Sequence, residues 1–95
     1  MKIPVVNREY YVIYIEYFND MHWLHTDVFK WSAEIKKEYV KNLDTLQKLI
    51  DCKLYGMVEE ENSKLSKFGE SIGFNYLQNL QGNDGNMYKI YTRSL

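Results

Sequence analysis

Apolar residues follow two different rhythms along the chain, and each rhythm predicts a different kind of element. Residues 9–18, EYYVIYIEYF, are dense in β-branched and aromatic side chains and apolar at almost every position, which predicts a strand. Only Glu16 breaks the run. A strand this apolar is expected to be covered on both sides, or covered on one and stacked against a partner on the other. Asn19-Asp20 is a turn signal, and residues 22–28, HWLHTDV, are the expected antiparallel return strand. From Ser32 to Ile50 the rhythm changes: Ile35, Tyr39, Leu43, Leu46 and Ile50 fall at helical spacing, with Lys36, Lys37, Lys41, Asp44 and Lys48 around the rest of the surface.

After Asp51 the stretch CKLYGMV predicts a third strand over residues 52–58. A short helix follows with both ends marked. Asn62 is the expected N-cap, its side-chain oxygen placed to accept a first-turn N–H, with Glu59, Glu60 and Glu61 just upstream where negative charge suits a helix start. Leu65, Phe68 and Ile72 form one apolar stripe. Gly69 beside it is expected to allow close approach to a sheet, and Gly73 to take the left-handed conformation past the helix end. Residues 74–80 and 87–92 are two further strands, joined by the turn-forming QGNDGN. Residues 1–8 hold the chain's one proline, Pro4, and are an edge strand or a loose arm. The order β-β-α-β-α-β-β predicts an α/β fold (α+β by some conventions) with a single mixed sheet, one long helix and one short one.

With 95 residues, one domain over 1–95 is expected, since two cores would not fit. A formal net charge of −1 and the lack of a basic block argue against general nucleic-acid binding. Nine tyrosines point to a tyrosine-rich surface or to codon bias in an AT-rich genome. The single Cys52 has no intrachain partner, which suits a reducing compartment, and no run approaches a membrane span or a signal peptide's apolar core. A cytosolic protein with no membrane partner and no metal site is expected.

Few side chains stand out as chemistry. His22 and His25 are three apart on a strand, so they point to opposite faces and do not form a metal pair. Cys52 is expected to be a buried strand thiol rather than a nucleophile. Glu16 is either a general base facing a cleft between splayed strands or an edge carboxylate in water. Trp23, Phe29 and Trp31 are large aromatics beside a loop, the kind of residue that anchors a protein partner; the plainer alternative is packing over the long helix.

The segment Asn62, Leu65, Phe68, Gly73, Phe74, taken with the element order on either side, resembles the second half of the GNAT acetyltransferase superfamily, over residues 9–93. The resemblance implies a truncated GNAT-like domain and raises the question of acetyl-CoA. Members of that family hold the cofactor's pyrophosphate on backbone N–H groups where a Gly-rich turn enters the long helix. The matching stretch here, TDVFKWSAE over residues 26–34, has no glycine, and Phe29, Trp31 and Asp27 oppose a phosphate. The family's frequent acid, a tyrosine seven residues past the Asn, is replaced by Gly69. No cofactor is therefore expected. The alternative is a minimal N-acetyltransferase, with Lys30, Trp31, Ser32, Ala33 and Asn62 holding acetyl-CoA and Glu16 as base.

Residues 23–33, WLHTDVFKWSA, are also similar to the degenerate GNAT-like internal virion proteins of short-tailed phages, which lack the glycine loop too. That resemblance implies a phage-encoded protein in the virion or the host cytoplasm. It would act by binding a protein, as a virion component or an inhibitor of a host target. The absent first half of the family's fold also implies an open sheet edge through which two chains could pair.

Overall fold

The computed structural model describes residues 1–94. The elements are β1 (Lys2–Asn7), β2 (Tyr11–Phe18), β3 (Met21–Val28), α1 (Ala33–Ile50), β4 (Leu54–Glu59), α2 (Ser63–Ser71), β5 (Asn75–Gln81) and β6 (Met87–Arg93). They form one six-stranded mixed sheet in the order β1-β2-β3-β4-β6-β5. Every neighbouring pair is antiparallel except β3 and β4. The N-terminal stretch is thus an edge strand and not an arm. It keeps Pro4 because an edge strand tolerates a missing donor, and its pairing with β2 shifts between Pro4 and Val6.

Local chemistry sets the joints. Asn19 and Asp20 both take positive φ, 58° and 61°, which makes the two-residue turn that suits a twisted hairpin and fixes the β2–β3 register from Tyr11↔Val28 to Phe18↔Met21. Ser32 caps α1, its hydroxyl accepting the Ile35 N–H at 3.1 Å, and Asp51 ends it in the left-handed region. Asn62 caps α2 by accepting the Leu65 N–H at 3.1 Å. Gly73 has φ 102°, as its place after the helix demands.

Both helices lie on one face of the sheet. Ile35, Tyr39 and Leu43 from α1, and Ile72 at the end of α2, share a core with Tyr11, Ile13, Leu54, Val58, Phe74 and Tyr91. Strand alternation then sends Val12, Tyr14, Glu16 and Phe18 of β2 to the other face. Among the described residues no helix covers that face, so β2 is not covered on both sides by its own chain.

Three local expectations need correcting. Cys52 is exposed in the turn between α1 and β4, because β4 begins only at Leu54. Gly69 is not needed for close approach, since a Cβ there would meet Phe74 Cβ at an ordinary 3.8 Å. Leu65, assigned to the apolar stripe of α2, is substantially exposed, and the buried residue of that helix is Ser66.

Candidate functional site

β3 and β4 run side by side only at their first residues. The ladder pairs His22 with Leu54 and Trp23 with Tyr55 and then stops. Beyond that point the strands diverge, and a cavity of about 750 Å³ opens between them and beneath α2, a size suited to a small ligand. Leu65, Ser66, Phe68 and Phe74 line it on the helix side, while Tyr14, His25 and Asp27 line it toward the open face. The cleft therefore passes from one face of the sheet to the other. Ser66 is buried, and its hydroxyl finds no hydrogen-bond partner among the described residues.

At the open-face mouth two acid–partner pairs stand side by side. His25 Nε2 lies 2.9 Å from Glu16 Oε1, and the bond from the imidazole holds the Glu16 carboxyl below its usual range. Tyr14 donates its hydroxyl to Asp27 Oδ2 at 2.9 Å, which pushes the phenol's pKa up. Glu16 is thus a carboxylate held against an imidazole, not an isolated edge charge. The turn at Asn19-Asp20 pairs Tyr14 with His25 and Glu16 with Trp23, so Glu16 and His25 are diagonal neighbours on one face, within side-chain reach. His22 pairs with Tyr17 on the opposite face, as alternation requires. Among the described residues no cluster of three or more His, Cys, Asp or Glu side chains is arranged to hold a metal.

The other end of the cleft lies where β3 runs into α1, and Trp31 crowds it. The Phe29 and Lys30 N–H groups both donate to the Tyr10 carbonyl, at 2.8 and 3.3 Å. Ser32 turns its hydroxyl back onto the helix, and Glu34 brings a carboxylate to the first turn, where it occupies the positive end of the helix dipole. Trp31 sets its ring edge-on against Tyr39 and Phe68, at centroid distances of 5.6 and 5.1 Å, so it bridges α1 and α2 and forms part of the cavity wall. Lys30 lies over the Tyr10 ring, 5.2 Å from its centroid. Ala33 is the first helical residue and is exposed. Asn62 lines the cavity, but its side-chain oxygen is engaged as the α2 cap. These residues do not fit a diphosphate: two loop donors are engaged, a carboxylate stands at the helix start and an indole fills the space between the helices.

The three aromatics singled out as partner anchors do not converge. Phe29 is 67% exposed on the loop, and Trp31 beside it is 36% exposed. Trp23 lies six residues back along β3, roughly 20 Å away at strand rise. There it packs at a tilt against Tyr55 and donates its indole N–H to the Phe18 carbonyl at 3.1 Å. For Trp31 the packing role is plain in the geometry; Phe29 has no such role.

No protein-family model matches the sequence, and no curated protein matches it. Solved structures do match the fold. A putative GNAT-family acetyltransferase from Bordetella pertussis superposes with a TM-score of 0.71 at 11% identity, over 96% of this chain and 61% of that one. A spermidine N-acetyltransferase SpeG chimera from Vibrio cholerae and hSSAT superposes with a TM-score of 0.66 at 14% identity, over 88% of this chain and 59% of the other. The chain has a compact GNAT-like fold and spans about three-fifths of the length of these neighbours.

Proposed function

We propose that this protein keeps the GNAT fold without acetyl transfer and acts by binding another protein. The observation that carries the reading is the crowding at the start of α1. Trp31 bridges the two helices there, and the Phe29 and Lys30 N–H groups are already donated to Tyr10. A cofactor anchored through its pyrophosphate needs those groups free and that space open. Phe29, an exposed ring just before α1, supplies the kind of apolar anchor on which protein interfaces depend. A phage setting, with the protein in the virion or bound to a host target in the host cytoplasm, is part of this proposal and rests on the sequence resemblance read in residues 23–33 alone. Calorimetric titration with acetyl-CoA tests the reading. No binding heat is expected, and micromolar affinity would overturn it.

One observation favours the second reading, a minimal N-acetyltransferase. The His25–Glu16 pair stands at the open-face mouth of a cleft that crosses the sheet, where an imidazole oriented by a carboxylate can take a proton from an amine. That reading predicts thiol release from acetyl-CoA with some amine acceptor, and mass spectrometry showing no acetyl adduct on co-incubated proteins would count heavily against it.

A further inference from the structure

Where β3 and β4 part, two strand edges face each other inside the molecule with no strand between them. The Phe29 N–H donates to the Tyr10 carbonyl in the same register that pairs Tyr11 with Val28. Hydrogen-bonded positions alternate along an antiparallel ladder, so Asp27 and His25 address β2, while Thr26 and Val28 address β4. On β4 the Glu60 N–H donates to the Met87 carbonyl at 3.0 Å, which turns Val58 and Gly56 toward β6 and Met57 toward β3. The β3–β4 ladder has already ended at Trp23 and Tyr55. The backbone groups of Thr26 and Met57 and the N–H of Val28 are therefore directed into the cleft, and Val28, Thr26 and Met57 all line it. Val28 and Met57 are part-exposed, so these backbone groups are open to a ligand's amides as well as to water. The unpartnered Ser66 hydroxyl, buried in the same wall, adds a side-chain group with nothing to bind.

We propose that the cleft takes an extended peptide segment of a partner protein, inserted as a strand between β3 and β4. Its amides would meet the Thr26, Val28 and Met57 backbone, and its small or apolar side chains would lie under Leu65 and Phe68. This rests on the reading that the chain works by protein contact. Strand addition draws affinity from main-chain hydrogen bonds and selectivity from alternate side-chain pockets, which suits a cleft with apolar walls under α2 and polar side chains at its open-face mouth.

The test is site-resolved amide exchange on the intact chain, using the blocked peptide acetyl-Ala-Val-Ala-Val-Ala-amide as probe, with pantetheine as a second arm. In the free protein the Thr26, Val28 and Met57 amides are expected to exchange faster than those of Asp27 and Val58. The peptide is expected to slow the first three by about tenfold or more. Met57→Pro removes a donor that no strand uses, so this variant is expected to fold like the parent and to lose the peptide effect. The inference is overturned if the peptide leaves all three amides unchanged, if pantetheine alone protects them, or if Met57→Pro unfolds the chain. Tight acetyl-CoA binding in the calorimetric titration instead sinks the contact reading itself. A silent peptide with no acetyl-CoA binding sinks only the inserted strand.

Discussion

Gln47, at the middle of the chain, and Arg93, near its end, bind each other reciprocally. The Arg93 guanidinium donates through Nη1 to Gln47 Oε1 at 2.8 Å, and Gln47 Nε2 donates back to the Arg93 carbonyl. Arg93 also reaches the Ile72 carbonyl at the end of α2, at 2.8 Å, and Asp44 Oδ1 at 2.6 Å. One buried guanidinium thus joins β6 to both helices. Gln47 is fully buried in a position that helical spacing gives to the core. Replacing Arg93 with Ala leaves Gln47 Oε1 and the Ile72 carbonyl without their partner, while Gln47 Nε2 keeps the backbone carbonyls of residues 93 and 52. The expected loss is about 3 kcal/mol, from breaking a buried charged network on one side only. Urea denaturation checks this: the midpoint should fall with little change in slope.

Gly73 packs against that same guanidinium. A Cβ at Gly73 would lie 2.9 Å from Arg93 Nε, and its φ of 102° is one that L side chains rarely adopt. Gly73→Ala is expected to cost about 1–3 kcal/mol. Gly69→Ala is the control, because that helical position has room for a methyl, and a gain of about 0.5–1 kcal/mol is expected. Thermal denaturation of the two variants, measured together, should move in opposite directions.

Alkaline stability depends on Tyr39. Burial pushes its phenol up to about 12 from 10.0, while its hydroxyl sits 2.6 Å from Thr26 Oγ1. The folded pKa is raised, so the stabilising contribution is fully present below pH 10 and is lost as pH climbs through about 12. Its size is on the order of 2 kcal/mol. Ultraviolet titration of tyrosinate should show one phenol ionising only as the chain unfolds, and Tyr39→Phe should flatten the stability curve in that window. The acid side has the opposite sign. His25 holds Glu16 below its usual value, so this contribution is present above the unfolded carboxylate range and fades as pH falls through the folded value. His25→Ala should raise the Glu16 pKa, which carboxyl chemical shifts would report.

Much of this was legible before the fold was known, because it is local. The helix spans follow from apolar spacing, and Ser32, Asn62 and Gly73 mark helix ends through capping chemistry that depends on a few neighbouring residues. The Glu16–His25 pair was also within reach. Once Asn19-Asp20 is taken as a two-residue turn, counting outward places the two side chains on one face, diagonal to each other. The Arg93 network was not legible, since its four contacts join residues 21 to 49 positions apart and no pattern in the sequence links them. Nor was the parting of β3 and β4, which is a property of the sheet, not of either strand. Cys52 was misplaced because its neighbours look like a strand, yet the left-handed Asp51 delays β4 to Leu54.

The two outer strands are protected unequally, and this bears on self-association. β1 carries Pro4, an irregular register after it, and Lys2, all of which discourage a further strand. β5, NYLQNLQ, is exposed along its whole length and has neither charge nor proline; its one interruption is the bulge between Tyr76 and Gln78. If two chains pair by strand addition, β5 is the edge with the fewest obstacles. Light scattering across a concentration series is expected to show a reversible rise from 11.4 kDa toward twice that mass. Leu77→Lys, which places a charge on the exposed strand, is expected to return the protein to monomer without lowering its melting temperature. A strictly monomeric mass at the highest concentrations would remove edge pairing. It would leave the cleft between β3 and β4 untouched, because that cleft is bounded by different strands.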